Sequence, residues 1–314
     1  QVFKVRMTQE NDTHIHEFIL VGFPTSPELQ AVLFVIFLAA YLLTVAENIV
    51  IIALITSNPQ LHKPMYFFLG HLSFLEAWYI SVTVPKLLLS LVVRNRSISF
   101  VGCMAQLYFF MALACTECVL LAVMAYDRFV AVCAPLHYGL LMDHRACLQL
   151  ATASWLLGFL ISGLKVSFIA QLSFCGPRVL NHFYCDVSPL LNLSCARRHL
   201  AETVDFISAL LILLLPFSVI VVSYSCIIST VWLLPKAQNR MKAFSTCASH
   251  LAVVVIFFST MIFMYARPRS IGSLDVNKVV SIIYTIITPM LNPFIYCLRN
   301  QEVKDTLLKV LCSK

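Results

Sequence analysis

Charge is what this chain has least of. Asp, Glu, Lys and Arg make up 12% of its 314 residues, about half the share of a typical soluble domain. Apolar residues make up 60%, and the mean hydropathy is +0.86. A water-soluble fold could not hide that much apolar surface, so lipid must cover it. Glycine and proline are also sparse, at 8 and 13 residues, which excludes collagen-like and low-complexity chains. No internal repeat or inverted symmetry is visible, which argues against a transporter built from repeats. The acids come with no nucleophile and no metal-ligand set, which argues against a hydrolase. The net charge of +7 comes from Lys and Arg scattered between apolar runs. That is no basic stripe, so nucleic acid is not an expected partner. Part of this charge should lie beside anionic lipid headgroups.

What the chain does have is seven apolar runs, at about 29–56, 65–90, 101–130, 146–170, 203–232, 243–266 and 276–297. Each is long enough to span a bilayer with some tilt. Backbone groups in lipid must be satisfied within a segment, so these runs are helices. The expected fold is an all-α membrane protein, a seven-transmembrane bundle with a short amphipathic C-terminal helix on the membrane surface. The boundaries read as an extracellular N-terminal tail at 1–28, a bundle at 29–298 and a cytoplasmic surface helix and tail at 299–314. No cleavable leader is visible in the polar first segment, so the first span is expected to act as the insertion signal.

Lys and Arg counts do not orient the chain. Three N-x-S/T sequons, at Asn11, Asn95 and Asn192, fall on the N-terminal side of the bundle. They favour an outside N-terminus and glycosylation there. Cys103, Cys175, Cys185 and Cys195 lie on the same side, where an oxidising exterior permits two disulfides. Four cysteines allow three pairings.

Two acids stand where acids are costly. Glu76 is 12 residues into the second span from Pro64, and Glu117 is 11 residues before Arg128. Both therefore lie near mid-membrane, about 16–18 Å along their helices. A charge there costs several kcal/mol, of order 3 on insertion scales. Two acids at one depth imply a shared cation or a shared proton, and Asn48 and Asn292 could complete the shell. At the cytoplasmic end of the third span, Asp127 can neutralise Arg128 in one state and release it to another partner in a second. Asn292-Pro293 before Tyr296 in the last span supplies a kink that can serve as a hinge. Tyr224 is placed to meet Arg128 and Tyr296 when the bundle opens.

Helical spacing also gathers residues onto single helix faces in the outer half. They are Phe110, Met111, Ala114, Cys115 and Cys118 on the third span, and Ser208, Ala209 and Ile212 on the fifth. Phe258, Met261, Ile262 and Tyr265 lie on the sixth, with Ile282 and Thr285 on the seventh. The mix is apolar with a few hydroxyls, as small-molecule pockets are. The third span has no Asp between 101 and 126, so the usual counter-ion for an amine is missing. Lys278 stands at the end of the seventh span, not its middle, which argues against a retinal Schiff base.

The stretch Met124-Ala125-Tyr126-Asp127-Arg128-Phe129-Val130-Ala131-Val132-Cys133 closely resembles the olfactory receptor signature within rhodopsin-like G-protein-coupled receptors. Four further stretches resemble the same family. They are Leu61-His62-Lys63-Pro64-Met65-Tyr66, Ser223-Tyr224, Lys242-Ala243-Phe244-Ser245-Thr246-Cys247-Ala248-Ser249-His250-Leu251, and Pro289-Met290-Leu291-Asn292-Pro293-Phe294-Ile295-Tyr296. The likeness runs from about 18 to 300. It departs at Glu47-Asn48, where the family usually has Gly-Asn, and at Glu76, where Asp is commoner. The resemblance implies a receptor, not an enzyme. A volatile odorant would bind among the third, fifth, sixth and seventh spans. Asp127, Arg128, Tyr224, Lys242, His250, Asn292, Pro293 and Tyr296 would couple it to a stimulatory, olfactory-type heterotrimeric G protein that raises cAMP. It further implies a sodium-like ion at Asn48, Glu76, Glu117 and Asn292, with no other cofactor. The implied disulfides are Cys103–Cys185 and Cys175–Cys195, and the implied location is the plasma membrane of olfactory cilia. The competing readings are a peptide or lipid receptor of the same superfamily, and an ion conductor using Glu47, Glu76 and Glu117.

Overall fold

A computed structural model describes residues 16–23, 25–93, 96–174, 178–196, 198–233, 237–265, 274–299, 303, 304 and 306. Its frame is seven helices. These are α1 (Pro27–Ser57), α2 (Pro64–Val92), α3 (Phe100–Cys133), α4 (His144–Ala170), α5 (Arg198–Trp232) and α6 (Ala237–Tyr265), then α7 in three consecutive pieces. Those pieces are Leu274–Ile282, a π turn at Ile283–Ile287, and Thr288–Arg299. Their lengths and composition match the seven apolar runs. Among the described residues, six helices are long and apolar enough to cross a membrane, and the described apolar part of α6 is the shorter Cys247–Phe263.

Local chemistry sets the ends. Ser26, Ser99 and Asp143 cap α1, α3 and α4 by accepting from Leu29, Gly102 and Ala146 amides. Each thereby satisfies one of the donors a helix start leaves free. Proline occupies the first turn of α1 and of α2, where its missing N–H costs nothing. Helix α3 is the axis of the bundle, buried along most of its length, whereas α1 exposes most of its apolar side chains outward. The pattern inverts a soluble protein: Leu160, Phe206, Val222 and Val255 are all more than half exposed, as lipid-facing residues should be.

Helix α4 packs so tightly on α3 that Gly158 has no room for a side chain. A Cβ there would lie 2.1 Å from Thr116 Oγ1 and 2.7 Å from the Ala112 carbonyl. Nearby, Ser162 donates to the Tyr108 carbonyl at 2.7 Å. Lys165, fully buried on α4, pairs with Asp205 on α5 at 2.7 Å.

The N-terminal side of the bundle carries short strands that the all-helical expectation did not contain. Strand β1 (Glu17–Leu20) pairs antiparallel with β2 (Ser97–Ser99), in the register Phe18 to Ile98. Its other edge pairs parallel with β4 (Val179–Leu180), Leu20 to Leu180. Strands β3 (Ser173–Phe174) and β5 (Ser194–Ala196) pair antiparallel. Part of the expected tail, 1–28, is therefore folded. Phe18 and Leu20 are fully buried while Glu17 and Ile19 face out, the period-two alternation of a half-buried strand. At the other end of the chain, Val303 and Thr306 are buried; the rest of the expected surface helix lies largely outside the described residues.

Candidate functional site

Three groups of side chains stack along the inside of the bundle. At the end opposite the strands, Arg128 holds Asp127 through two nitrogens, Nη2 at 2.6 Å and Nε at 3.0 Å. Asp127 is fully buried, and its other oxygen accepts from the Tyr138 hydroxyl at 2.8 Å. Burial and the Asp127 carboxylate push the Tyr138 phenol above its ordinary range, so it stays a donor. Tyr138, five residues beyond the Met124–Cys133 stretch, also holds Asp127, a role that sequence reading did not give it. Tyr224 on α5 is bonded to His250 Nδ1 on α6 at 2.6 Å, with the two rings stacked. It is thus held by α6 and does not reach Arg128 in this state. His250 is buried, so it belongs to the α5–α6 contact. The side chain of Lys242 lies outside the described residues.

At mid-depth, Glu76 Oε1 accepts from Asn292 Nδ2 at 2.5 Å, joining α2 to α7. Glu76, Glu117, Asn48 and Asn292 are all buried. Glu117 and Glu47 lie within electrostatic reach of Glu76. Asn48 donates to the Thr44 carbonyl at 3.0 Å. Among the described residues, Asn48 Oδ1, Asn292 Oδ1 and Glu47 Oε2 are buried without a hydrogen-bond partner, as is the hydroxyl of Tyr296. Unsatisfied amide oxygens beside a carboxylate form an all-oxygen donor set, the chemistry that suits a hard cation. The residues therefore fit the sodium-like ion. Pro293 is buried within α7 one residue beyond Asn292.

Nearer the strands, the inward faces of α3, α5, α6 and α7 meet. Phe110, Met111, Ala114, Cys115 and Cys118 are buried on α3, Ser208, Ala209 and Ile212 on α5, Phe258 and Met261 on α6, and Thr285 on α7. Phe258 packs on Phe217 at 5.3 Å between ring centroids. Ile262 is a correction. It is 46% exposed and belongs to the outward stripe Leu251, Val255, Ser259, Ile262. One position is 100° on a helix, so an inward face ending at Met261 does not include its neighbour. The side chain of Tyr265 lies outside the described residues. A groove of about 470 Å³ lies elsewhere, lined by Ile52, Ile55, Phe67, Gly70, Phe74, Trp78 and Trp155 of α1, α2 and α4; none of the expected pocket residues lines it.

The loop between α4 and α5 roofs this region. The disulfide Cys103–Cys185 ties it to the start of α3. Cys195 is also disulfide-bonded, and Cys175 lies outside the described residues. Gln106 accepts from the Cys185 amide at 3.0 Å and donates to the Val82 carbonyl at 2.9 Å. His182 shares a hydrogen bond with Ser281 of α7 at 3.1 Å. Burial, then the nearby Lys278 ammonium, lowers its pKa from 6.5 to about 3. Asp186 caps the short helix Val187–Leu193 through the Val187 amide at 2.9 Å, and burial raises its pKa from 3.8 to about 6. Asn192 lies exposed on that short helix, whereas Asn11 and Asn95 lie outside the described residues. Lys278 donates to the Gly22 carbonyl at 2.7 Å, strapping the N-terminal segment to α7.

Comparison with known proteins agrees with this architecture. Residues 37–314 match the olfactory receptor family as a whole. The chain is 61% identical over 304 residues to olfactory receptor 6B1 of Homo sapiens, covering 97% of each protein. It is 59% identical to olfactory receptor 6B9 of Mus musculus, covering 97% of this chain and 96% of that one. To olfactory receptor 226 of Rattus norvegicus it is 54% identical, covering 95% and 92%. With seven helices, a buried Arg128–Asp127 ion pair at one end and this likeness over nearly its whole length, the chain belongs to the olfactory receptor family, multi-pass membrane receptors that answer odorants through G proteins and are not enzymes.

Proposed function

We propose that this chain binds a small volatile molecule among α3, α5, α6 and α7 and activates a stimulatory, olfactory-type G protein, raising cAMP. The observation that carries the reading is the convergence of buried, mainly apolar side chains from those helices, with Ser208 and Thr285 as hydroxyls, above a buried polar switch. The ligand binds more tightly to the state in which the far end of α6 swings out, and only that difference in affinity shifts the population. In the closed state Arg128 is spent on Asp127 and Tyr224 on His250. Opening exchanges these partners, and the groove so formed takes the C-terminal helix of the G protein. A sodium-like ion held by Glu76, Asn48, Asn292 and Glu117 would supply positive charge among buried oxygens and favour the closed state. The N-terminus is extracellular, with glycans at Asn11, Asn95 and Asn192 and a second disulfide Cys175–Cys195. The site of action is the ciliary plasma membrane.

The test is a cAMP assay in cells displaying the chain, run against a broad panel of volatiles beside Arg128→Ala and Phe258→Ala. A volatile response lost in Arg128→Ala and shifted in potency by Phe258→Ala supports the reading. A surface-displayed chain that ignores volatiles and answers peptides or lipids refutes it.

A further inference from the structure

The roof and α7 meet through His182 and Ser281 and, inside an aromatic cluster, through a pair of phenols. The hydroxyls of Tyr184, in the loop between α4 and α5, and Tyr284, in α7, are hydrogen-bonded to each other. Both side chains are buried. Phe110 of α3 lies against both, 4.8 Å from the Tyr184 ring and 5.8 Å from the Tyr284 ring, and stacks on Tyr79 of α2 at 5.1 Å. Tyr184 cannot drift. Its neighbour Cys185 is bonded to Cys103 and to Gln106, and its ring stands edge-on to His182, itself tied to Ser281.

Tyr284 lies in the π turn Ile283–Ile287. The Thr288 amide and hydroxyl both reach back to the Ile283 carbonyl, five residues earlier, which closes the wide turn. A π turn holds one residue more than the α-helix would, and such turns concentrate at functional sites. Restoring α geometry would rotate one side of α7 against the other by about 100°. The side farther from the roof carries Asn292, bonded to Glu76, and Pro293. The tyrosine pair is thus a contact on a helix whose other end holds the polar core.

Hydrogen-bond counting gives the ligand chemistry. Two phenols bonded to each other use one O–H between them, and Ser281 is a further hydrogen-bond partner of Tyr184. A carbonyl oxygen placed between them has two lone pairs and accepts from both. A hydrocarbon of the same shape breaks the pair and returns nothing, leaving buried hydroxyls unsatisfied. Among the described residues, Asp186 lies within electrostatic reach of both phenols, which disfavours a carboxylate. We infer that Tyr184 and Tyr284 are the specificity-determining residues of this receptor and that they receive the oxygen of a small uncharged carbonyl compound, a ketone or an ester, whose apolar body lies on Phe110. This rests on the pocket reading above and narrows it.

The experiment uses the full chain in lipid nanodiscs with its G protein. Linear and cyclic ketones of six to ten carbons are each tested beside the hydrocarbon of the same skeleton, with thermal stabilisation and nucleotide exchange as readouts. Wild type is expected to favour at least one ketone over its hydrocarbon by about tenfold or more. Tyr284→Phe and Tyr184→Phe, which keep the ring, are expected to bring that ketone and its hydrocarbon to one level, the ketone weakening and the hydrocarbon holding or gaining because no hydroxyl pair is left to break. Hydrogen exchange of wild type supplies a readout free of any variant: the active ketone is expected to alter protection at 283–288, and its hydrocarbon is not. Equal potency of ketone and hydrocarbon in wild type overturns the inference. So does a Phe variant that lowers both equally, because that is a structural effect, or a ketone that leaves protection at 283–288 unchanged. If Phe258→Ala abolishes both probes while the Tyr variants leave the ratio untouched, the pocket stands and the tyrosine assignment falls. If no panel member acts on wild type, both fall.

Discussion

At the scale of single residues, the proposed switch rests on very few atoms. Asp127 is neutralised by Arg128 and also holds Tyr138. Tyr138→Phe removes one hydrogen bond worth about 1 kcal/mol and leaves the ion pair intact. Basal nucleotide exchange is expected to rise about fivefold in that variant, measured with purified G protein and no ligand; an unchanged basal rate removes Tyr138 from the lock. The roof supplies a second residue-scale test. The pKa of His182 falls from 6.5 to about 3, so its contribution to stability is complete above pH 6.5 and is lost as pH falls toward 3. The pKa of Asp186 rises from 3.8 to about 6, so its contribution is complete below 3.8 and is lost as pH rises through 6. Between pH 6.5 and 4 the two oppose each other. His182→Gln removes only the first, so its melting temperature relative to wild type is expected to climb as pH drops across that window. A constant difference between the two proteins at all pH values contradicts the assignment. Sequence alone showed Arg128, Glu76 and Asn292, because a charge or amide within an apolar run stands out. It did not show Tyr138, Tyr184 or Tyr284, because an aromatic among aromatics carries no such contrast, and only the fold brings loop and helix together.

At the scale of elements, the helices were legible and their contacts were not. Apolar length marks a span, but Gly158 looks like any other glycine until α4 lies on α3. Gly158→Ala forces a methyl against Thr116 and the Ala112 carbonyl, and backbone cannot yield cheaply. A loss of about 1–3 kcal/mol is expected, read as a lower melting temperature. Gly139→Ala, where nothing lies within 4 Å, is expected to leave stability unchanged and serves as the control. Lys165 and Asp205 bolt α4 to α5. Lys165→Met leaves a largely buried carboxylate without its cation and should destabilise the bundle, while Lys165→Met with Asp205→Leu should recover most of the loss, since apolar replacements of buried pairs are often neutral. A double variant as unstable as the single one refutes that reading. The signal for this pair was present in the sequence, a lysine inside the run 146–170, but its partner is 40 residues away on another helix. Strand β1 was missed for the same reason. Glu17–Leu20 is four residues long, and its partners at 97–99 and 179–180 are remote in the chain.

At the scale of the whole molecule, the fold is a graded column. Strands and a disulfide-tied loop close one end, apolar side chains fill the region beneath, buried oxygens occupy the middle, and an arginine lock closes the far end. The proposed function sets ligand chemistry and G-protein chemistry at opposite ends of this order, with α7 passing through every layer. Of the residues that helical spacing grouped, those on α3 and α5, with Phe258, Met261 and Thr285, are buried, whereas Ile262, one position past the edge, is 46% exposed. The most direct measurement of the central claim is nucleotide exchange on a purified stimulatory G protein by this chain in lipid nanodiscs, with an active volatile added or withheld. The account predicts exchange that the volatile accelerates in wild type and fails to accelerate in Arg128→Ala at equal binding. Acceleration that survives in Arg128→Ala, or binding of the volatile with no exchange in wild type, would contradict it.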